Sequence, residues 1–418
     1  MSTTTLHIRF TPVDTWFFRE ARPHDSVGAS RLQSEFPPPA SSMLGALRTR
    51  LGEALDINWL EHAGQDEERG RAGQEFAGIN LSDLLGYSDD TGLLEFGAVE
   101  VWKADSRLMP VPACWLKPGK TSDSKNLLAL QPGSPVVCDL SQPDPNTGRL
   151  ASVVMPELPQ GAEGAKPLDN HWLPAGNLLE AALTGGQIST DSVVADDQVF
   201  SRETRLGIAR DNKAGKVLEG KLYQTEHLRL HEDVSLAISV TLPSEVAPVL
   251  TDSIKEQPLQ RFGGEGRMAH LSVESVTTTT GQTLKAVKAN KKTRGLMLVL
   301  DADSEMASTT LGLEPEFDTC PDTGKPRQVW VGEINGIPVK LITAVLGKAV
   351  RRGGWDLQKR RPKGMRSFIP AGSCWFVEVP GAGGVALNEV MPRLNGYKPG
   401  QDSLNGRGSL LVGLWNKR

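Results

Sequence analysis

The sequence predicts an α+β protein: a ferredoxin-like unit followed by a second, strand-rich unit that closes in the same manner. Three observations carry this expectation. Apolar and polar residues alternate over Leu6–Val13, with Leu6, Ile8 and Phe10 against His7, Arg9 and Thr11, which argues a half-buried strand. A stripe at helical spacing (Met43, Leu44, Leu47, Leu51, Leu55) follows within one loop of it. Two Gly/Arg segments, RFGGEGR from Arg261 and LNGRG from Leu404, each run directly into an apolar strand.

Taken in order, the first strand leads into a loop from Asp14 to Phe36, rich in Arg, Asp and Gly. Pro37, Pro38 and Pro39 then exclude both helix and ladder pairing. Ser41 or Ser42 is the expected N-cap of the helix, and Gly45 its expected point of close approach. Residues 56–200 read as a long, loop-rich insertion. Short strands are expected at Gly97–Lys103 and Leu108–Leu116. The stretch Lys117–Gly164 is dense in Pro, Gly, Ser and Asp, a composition that leaves part of it disordered. Near Val199 the pattern becomes regular again: two strands around a turn at Asp211–Gly215, a third from Lys221, and an apolar segment at Val234–Leu242. A short helix at Ser253–Gln260, the glycine loop and the alternating strand from Met268 complete the unit. Strand, helix, two strands, helix, strand is the β-α-β-β-α-β order of a ferredoxin-like unit.

The second unit starts near Thr279, so the expected domains are 1–278 and 279–418. Its strands are expected at Leu296–Leu300, at Trp330–Ile334 and Ile337–Ile342 flanking the hairpin dipeptide Asn335-Gly336, at Ser367–Val379, and at the chain end.

Composition narrows the function. With 418 residues, 39% of them apolar and 23% charged, the chain has room for two or three domains with real cores. Its apolar runs are too short to span a bilayer, so no membrane role is expected. The N-terminal MSTTTLHIRF has neither a cationic region nor an apolar one, which argues against secretion and for the cytoplasm. Cys114, Cys138, Cys320 and Cys374 are isolated, so neither a zinc site nor a disulfide framework is expected. Charge is unevenly distributed. From residue 260 onward 23 Lys and Arg face 14 Asp and Glu, whereas the first 259 residues hold 23 and 36. A basic C-terminal part with Arg- and Gly-bearing loops suggests nucleic acid. The acidic part suits water or a basic protein surface.

Motifs with known chemistry narrow it further. The chain has no phosphate-binding loop of the G-x-x-x-x-G-K-[ST] kind, no H-E-x-x-H and no G-x-S-x-G. His227 and His231 share a face if their segment is a strand, but no third ligand lies nearby, so polar residues on a sheet face are the simpler reading. Asp14, Glu20, His24 and Asp25 could supply an acid/base pair, or could pair with Arg19 and Arg22 and shape the loop. The run Lys348–Arg366 holds eight Lys and Arg against one Asp, with Gly353, Gly354 and Trp355 inside it. Stacking and close backbone approach would let such a loop track RNA. The loop at Arg261, Gly263, Gly264 and Arg267 can be either a tight turn or an anion site of bare N–H groups and guanidinium forks.

These pieces together resemble one family. FTPVDTWFFREARPHDS followed by FPPPASSMLGALRTRL looks like the opening of the RAMP subunit of the Cmr (type III-B CRISPR) effector that holds the crRNA 5′ handle. The segments ETRLGIARDNKAGKVLEGKLY, RFGGEGRMA and KGMRSFIPAGSCWF and the terminal glycine-rich strand are similar to its later motifs, in the expected order from residue 10 to 415. The resemblance implies two ferredoxin-like (RRM-like, RAMP) domains in a ribonucleoprotein. Its implied partners are the crRNA, the large polymerase/cyclase-type subunit and a backbone RAMP subunit, with target RNA met only indirectly. It implies no nuclease activity; no cofactor or metal is expected from the motifs either. The expected RNA contacts are Arg261, Gly263, Gly264 and Arg267, with Arg19, Arg22, Ser41 and Ser42 on the same side. Trp355, Lys359, Arg360, Arg361, Lys363 and Arg366 would serve the second domain, and Arg205 and Lys221 the hairpin region. The competing reading is a RAMP endoribonuclease processing precursor crRNA, with His24 as its positioned histidine.

Overall fold

The computed structural model describes residues 2–20, 31–59, 62, 74–87, 90–120, 122, 124–145, 148–160, 162–211, 213–274, 287–321, 323–356, 361–400 and 408–416. Within them lies an α+β architecture rich in sheet and sparse in helix. The elements that matter for function are, in chain order, β1 (Thr3–Pro12), β2 (Arg31–Leu32), α1 (Ala40–Ala54), β3 (Glu100–Lys103), β4 (Ser106–Pro110), β5 (His171–Pro174), α2 (Asn177–Thr184), β6 (Phe200–Asp211), β7 (Lys216–Leu230), β8 (Val234–Pro243), α3 (Ala247–Glu256), β9 (Leu259–Arg261) and β10 (Met268–Glu274). Further along come β11 (Thr293–Leu300), β12 (Glu314–Thr319), β13 (Pro326–Ile334), β14 (Ile337–Val345), β15 (Cys374–Glu378), α4 (Leu387–Leu394) and β16 (Leu410–Asn416).

The alternation in β1 sets the first sheet. Ile8 and Phe10 are fully buried and pair across antiparallel ladders with Ile238 and Leu236 of β8 and with Val273 and Leu271 of β10. The strands run in the order β5, β4, β3, β8, β1, β10, β9. Residues of α1 and α3 join the apolar face of this sheet in one core. On the opposite face Arg9 donates to Glu274 at 2.8 Å and lies over Trp102. The second sheet runs β12, β13, β14, β15, β11, β16. Its β13–β14 turn has Asn335 at φ 50° and Gly336 at φ 68°, the paired positive φ values of a type I′ hairpin.

Several expectations are corrected. The first helix begins at Ala40 with Pro39 as its N-cap, so Ser41 and Ser42 lie inside its first turn and cap nothing. Pro39 already has the extended ψ of 140° that a cap requires. Gly45 faces open space. Gly52 is the glycine a helix neighbour requires, since a Cβ there would run into the Trp59 ring. The later helix spans Ala247–Glu256, not Ser253–Gln260, because Pro248 sits near its start, where proline is accommodated, and Pro258 lies past its end. The long hairpin has two strands, not three: β7 runs unbroken through Gly220 and Lys221 to Leu230. It stands apart from the first sheet, pairing with β2. The strand beside β8 in the sheet is instead β3, from the insertion.

The insertion is therefore structural. Besides β3–β5 and α2 it holds the paired strands Gln131–Val136 and Val153–Glu157. Met109, Cys114, Trp115, Leu173 and Leu183 pack into the same core as Leu298, Trp375, Phe376 and Val412 of the second sheet. Ala113 donates to Gly372 across that seam at 2.8 Å, and the Cys114 and Cys374 sulfurs lie 3.7 Å apart, both buried. Gly413 of β16 is required there, because a Cβ would lie 2.6 Å from the Leu183 carbonyl.

Candidate nucleic-acid interface

The glycine loop is built from the inside outward. Phe262 is 1% exposed and sits among Phe10, Trp16 and Phe18, with ring centroids 4.8, 4.9 and 5.0 Å away. Its amide donates to the Arg267 carbonyl at 2.8 Å, closing the turn. Gly263, Glu265 and Gly266 have φ of 87°, 57° and 66°, the left-handed region that favours glycine, and glycine fills two of the three. Gly263 and Gly264 press on the Phe17 backbone and ring. A Cβ on Gly263 would lie 2.8 Å from the Phe17 carbonyl, and the Gly264 amide donates to that same oxygen at 2.8 Å. The two glycines thus fit the loop to its neighbour, and the Gly264 N–H expected to face an anion points inward. Arg261 is exposed at the loop's edge.

Phe17 belongs to a segment, 13–18, wedged between this loop and the long hairpin. Trp16 exchanges backbone hydrogen bonds with Leu228 at 2.9 and 2.8 Å. That contact brings Asp14 under three arginines from three separate segments. Asp14 Oδ2 accepts from Arg205 at 3.2 Å and from Arg267 at 3.0 Å, and Oδ1 accepts from Arg229 at 3.0 Å. Glu203 accepts from Arg229 at 3.2 Å and from Arg205 at 3.4 Å. Three cations therefore face two carboxylates, on a surface where Asp14, Arg205 and Arg229 all reach solvent. Burial pushes the Asp14 carboxyl up, but the hydrogen bonds and charges of Arg205 and Arg229 outweigh it and hold the group below its ordinary value.

Register explains the grouping. Glu203 faces His227 and Arg205 faces Thr225 across the β6–β7 ladder, so period-2 geometry places Glu203, Arg205, His227 and Arg229 on one face. His227 is the floor of the cluster. It is 1% exposed, stacks on Phe17 at 5.2 Å and has Thr15 and Thr225 hydroxyls 3.2 Å from its two ring nitrogens. Burial, then the charges of Arg267 and Arg205, push its pKa down to about 4, so the ring is neutral at physiological pH. On the other face Glu226 accepts from Arg31 and Arg202.

The remaining predicted residues are dispersed. Arg19 is exposed, and its backbone bridges Ser34. Arg22 and His24 lie outside the described residues, as do Lys359, Arg360, the 278/279 boundary and the 404–407 part of the terminal loop. Ser41 is exposed and Ser42 half-buried. Among the described residues neither bonds to the arginine cluster, and Pro37–Ala40 before them line a cleft with Arg107, Asp303 and Arg352. Lys221, Trp355 and Arg361 are placed by their backbones, Trp355 pairing with Pro362. The Lys363 amide donates to Gly354 at 2.9 Å, and Arg366 pairs with Glu305 at 2.9 Å.

The described parts of the basic run thus pair with one another, with part of their charge already committed. Arg352 is half-buried between Glu35 and Asp303, bonding Asp303 at 2.6 Å, and ties the first loop to the segment that follows β11. Sequence reasoning missed Arg229. It lies between His227 and His231 on the strand face that their spacing defines, so its position is readable, but its partners are not. His231 is not beside His227 in a ligand set; its ring nitrogen meets the Asp197 carbonyl at 2.9 Å. Among the described residues no group of three or more His, Cys, Asp or Glu could hold a metal, and no helix is long and apolar enough to cross a membrane.

A family model described as CRISPR-associated protein (Cas_Cmr3) matches residues 8–415. No curated protein matches the chain. Among solved structures, a chain in the cryo-EM structure of the type III-B Cmr-beta complex bound to cognate target RNA is 16% identical, with a TM-score of 0.41. The match covers 88% of this chain and 86% of that one. A chain in the crystal structure of the Csm3–Csm4 subcomplex of the type III-A interference complex is 10% identical with a TM-score of 0.37, covering 99% and 100%.

Proposed function

The chain belongs to the Cmr3 family of CRISPR-associated proteins, and from that premise we propose that it is a non-catalytic, crRNA-binding subunit of a type III-B effector. It holds the 5′ handle and bridges the large polymerase/cyclase-type subunit to the backbone subunits, meeting target RNA only through them. The observation that carries this reading is the convergence of Arg205, Arg229 and Arg267 on one solvent-facing patch beside the exposed Arg261. Guanidinium groups so placed suit the non-bridging oxygens of a phosphate backbone. Arg19, Arg22, Ser41 and Ser42 would extend the track past α1. Lys359, Arg360, Arg361, Lys363 and Arg366, with Trp355 for stacking, would extend it onto the second domain.

Two ferredoxin-like domains, 1–278 and 279–418, are the framework we assign. In support, four strands of each sheet follow the same antiparallel order. They run β10, β1, β8, β3 in the first and β16, β11, β15, β14 in the second, with the closing strand beside the opening one. Site-resolved RNA–protein crosslinking on the assembled effector tests the function. Peptides carrying Arg229, Arg261 and Arg267 should crosslink to the 5′ handle. A crosslink map that omits both the 261–267 loop and the β6–β7 face would remove this site from the RNA path.

A further inference from the structure

We infer that Asp14 is an internal stand-in for phosphate: its carboxylate occupies the arginine cluster and must yield it when an RNA phosphate binds. The inference rests on the crRNA-binding reading and concerns how that same site is regulated. Three features support it. First, one carboxylate accepts from three guanidinium groups, both of its oxygens being used, at 3.0 to 3.2 Å. A phosphate with two non-bridging oxygens presents the same acceptors at the same distances. Second, Asp14 is not a buried structural anion. Its side chain is 45% exposed, so water and ligand reach the pocket it fills. Third, two of the arginines keep a second anionic partner and the third keeps a fixed backbone. Glu203 bonds Arg229 and Arg205, and Arg267 springs from a loop locked by Phe262 and Gly264. Removal of the Asp14 carboxylate would thus leave a formed site, not a collapsed one.

Competition has a direction that can be measured. Exposed ion pairs are individually weak, so displacing Asp14 weakens RNA binding by a modest, detectable factor. The test uses the purified full chain and a short single-stranded RNA carrying a fluorophore, at fixed salt. Asp14→Asn should bind roughly threefold to tenfold tighter than the wild type, whereas Arg229→Ala and Arg267→Ala should both bind more weakly. If the arginine variants weaken binding while Asp14→Asn is unchanged or weaker, the stand-in role is overturned and the RNA site survives. If the arginine variants bind as the wild type does, the RNA reading of this patch fails and the inference falls with it. Circular dichroism establishes that each variant folds. Should Asp14→Asn not fold, Asp14→Ser, which removes the same charge, decides. Tighter binding than the wild type supports competition by the Asp14 carboxylate, and unchanged or weaker binding overturns it.

Discussion

At the scale of single residues, the cluster around Asp14 shows how one carboxylate can hide charge from sequence reasoning. Arg205 and Arg229 are 24 positions apart, and Arg267 a further 38, yet one carboxylate collects all three. Replacing Arg229 or Arg267 with Ala should lower the slope of log K against log salt by about 0.7 for each phosphate no longer neutralised. Titration of RNA between 50 and 300 mM salt (about that range suffices) reads this directly. Gly263 has a different sensitivity. Its φ of 87° and the 2.8 Å approach of Phe17 combine strain with a clash, so Gly263→Ala should destabilise the fold by about 1–3 kcal/mol, measured by urea denaturation.

His227 carries the pH dependence at this scale. Its folded pKa of about 4 lies below the ordinary value of 6.5, so the native state resists a proton that the unfolded chain accepts. Its contribution is fully present above pH 6.5 and is lost as pH falls toward 4. The loss is on the order of 3 kcal/mol. His227→Gln should flatten that part of the stability profile, and an unchanged profile would reject a buried neutral imidazole. The histidine is plain in the sequence, but its burial depends on Phe17 and Thr15, remote along the chain, and no local pattern encodes that.

Elements show why some of the architecture is readable and some is not. The first strand β1, the Asn335-Gly336 hairpin and the glycine loop followed by β10 are each specified by local chemistry: alternation, turn type and backbone freedom. The insertion reads as loop because its strands are short and proline-bearing. Its order comes from cross-sheet burial of Trp115, Leu173 and Leu183, a property of the assembled core and not of the segment. It follows that excising residues 97–195 should abolish cooperative unfolding, since both sheets lose strands or core. A calorimetric trace retaining one sharp transition would contradict that. The candidate site divides the same way. The loop and Arg267 are legible. The partnership with Arg229 requires the β6–β7 register, and the Gly264 amide reads as outward-facing because its acceptor on Phe17 is remote in sequence.

For the whole molecule, the first and second sheets are joined by buried charge as well as by apolar packing. Arg352 spans Glu35 and Asp303, and Arg107 lies between Glu100 at 3.3 Å and Asp301 at 3.9 Å. Burial lowers the affinity of Arg352 for a proton, but the carboxylates of Asp303 and Glu35 outweigh it and keep the group charged. Breaking a half-buried network from one side strands its partners, so Arg352→Ala should cost about 1–3 kcal/mol. In denaturant melts it should also loosen the first loop, seen as faster proteolysis around residue 35. Equal stability of wild type and variant would argue that apolar packing alone joins the sheets.

The shared core also imposes an order in time. Trp115, Leu173 and Leu183 leave the ribosome well before β16, which completes their enclosure at Leu410–Asn416. At translation rates of about 5–20 residues per second, more than two hundred residues separate Leu183 from its last neighbour, a delay of roughly ten to fifty seconds. For that interval the nascent chain carries an apolar face that lacks its last covering strand. The part of the chain that reads as a peripheral insertion is thus closed over only when synthesis reaches the last strand.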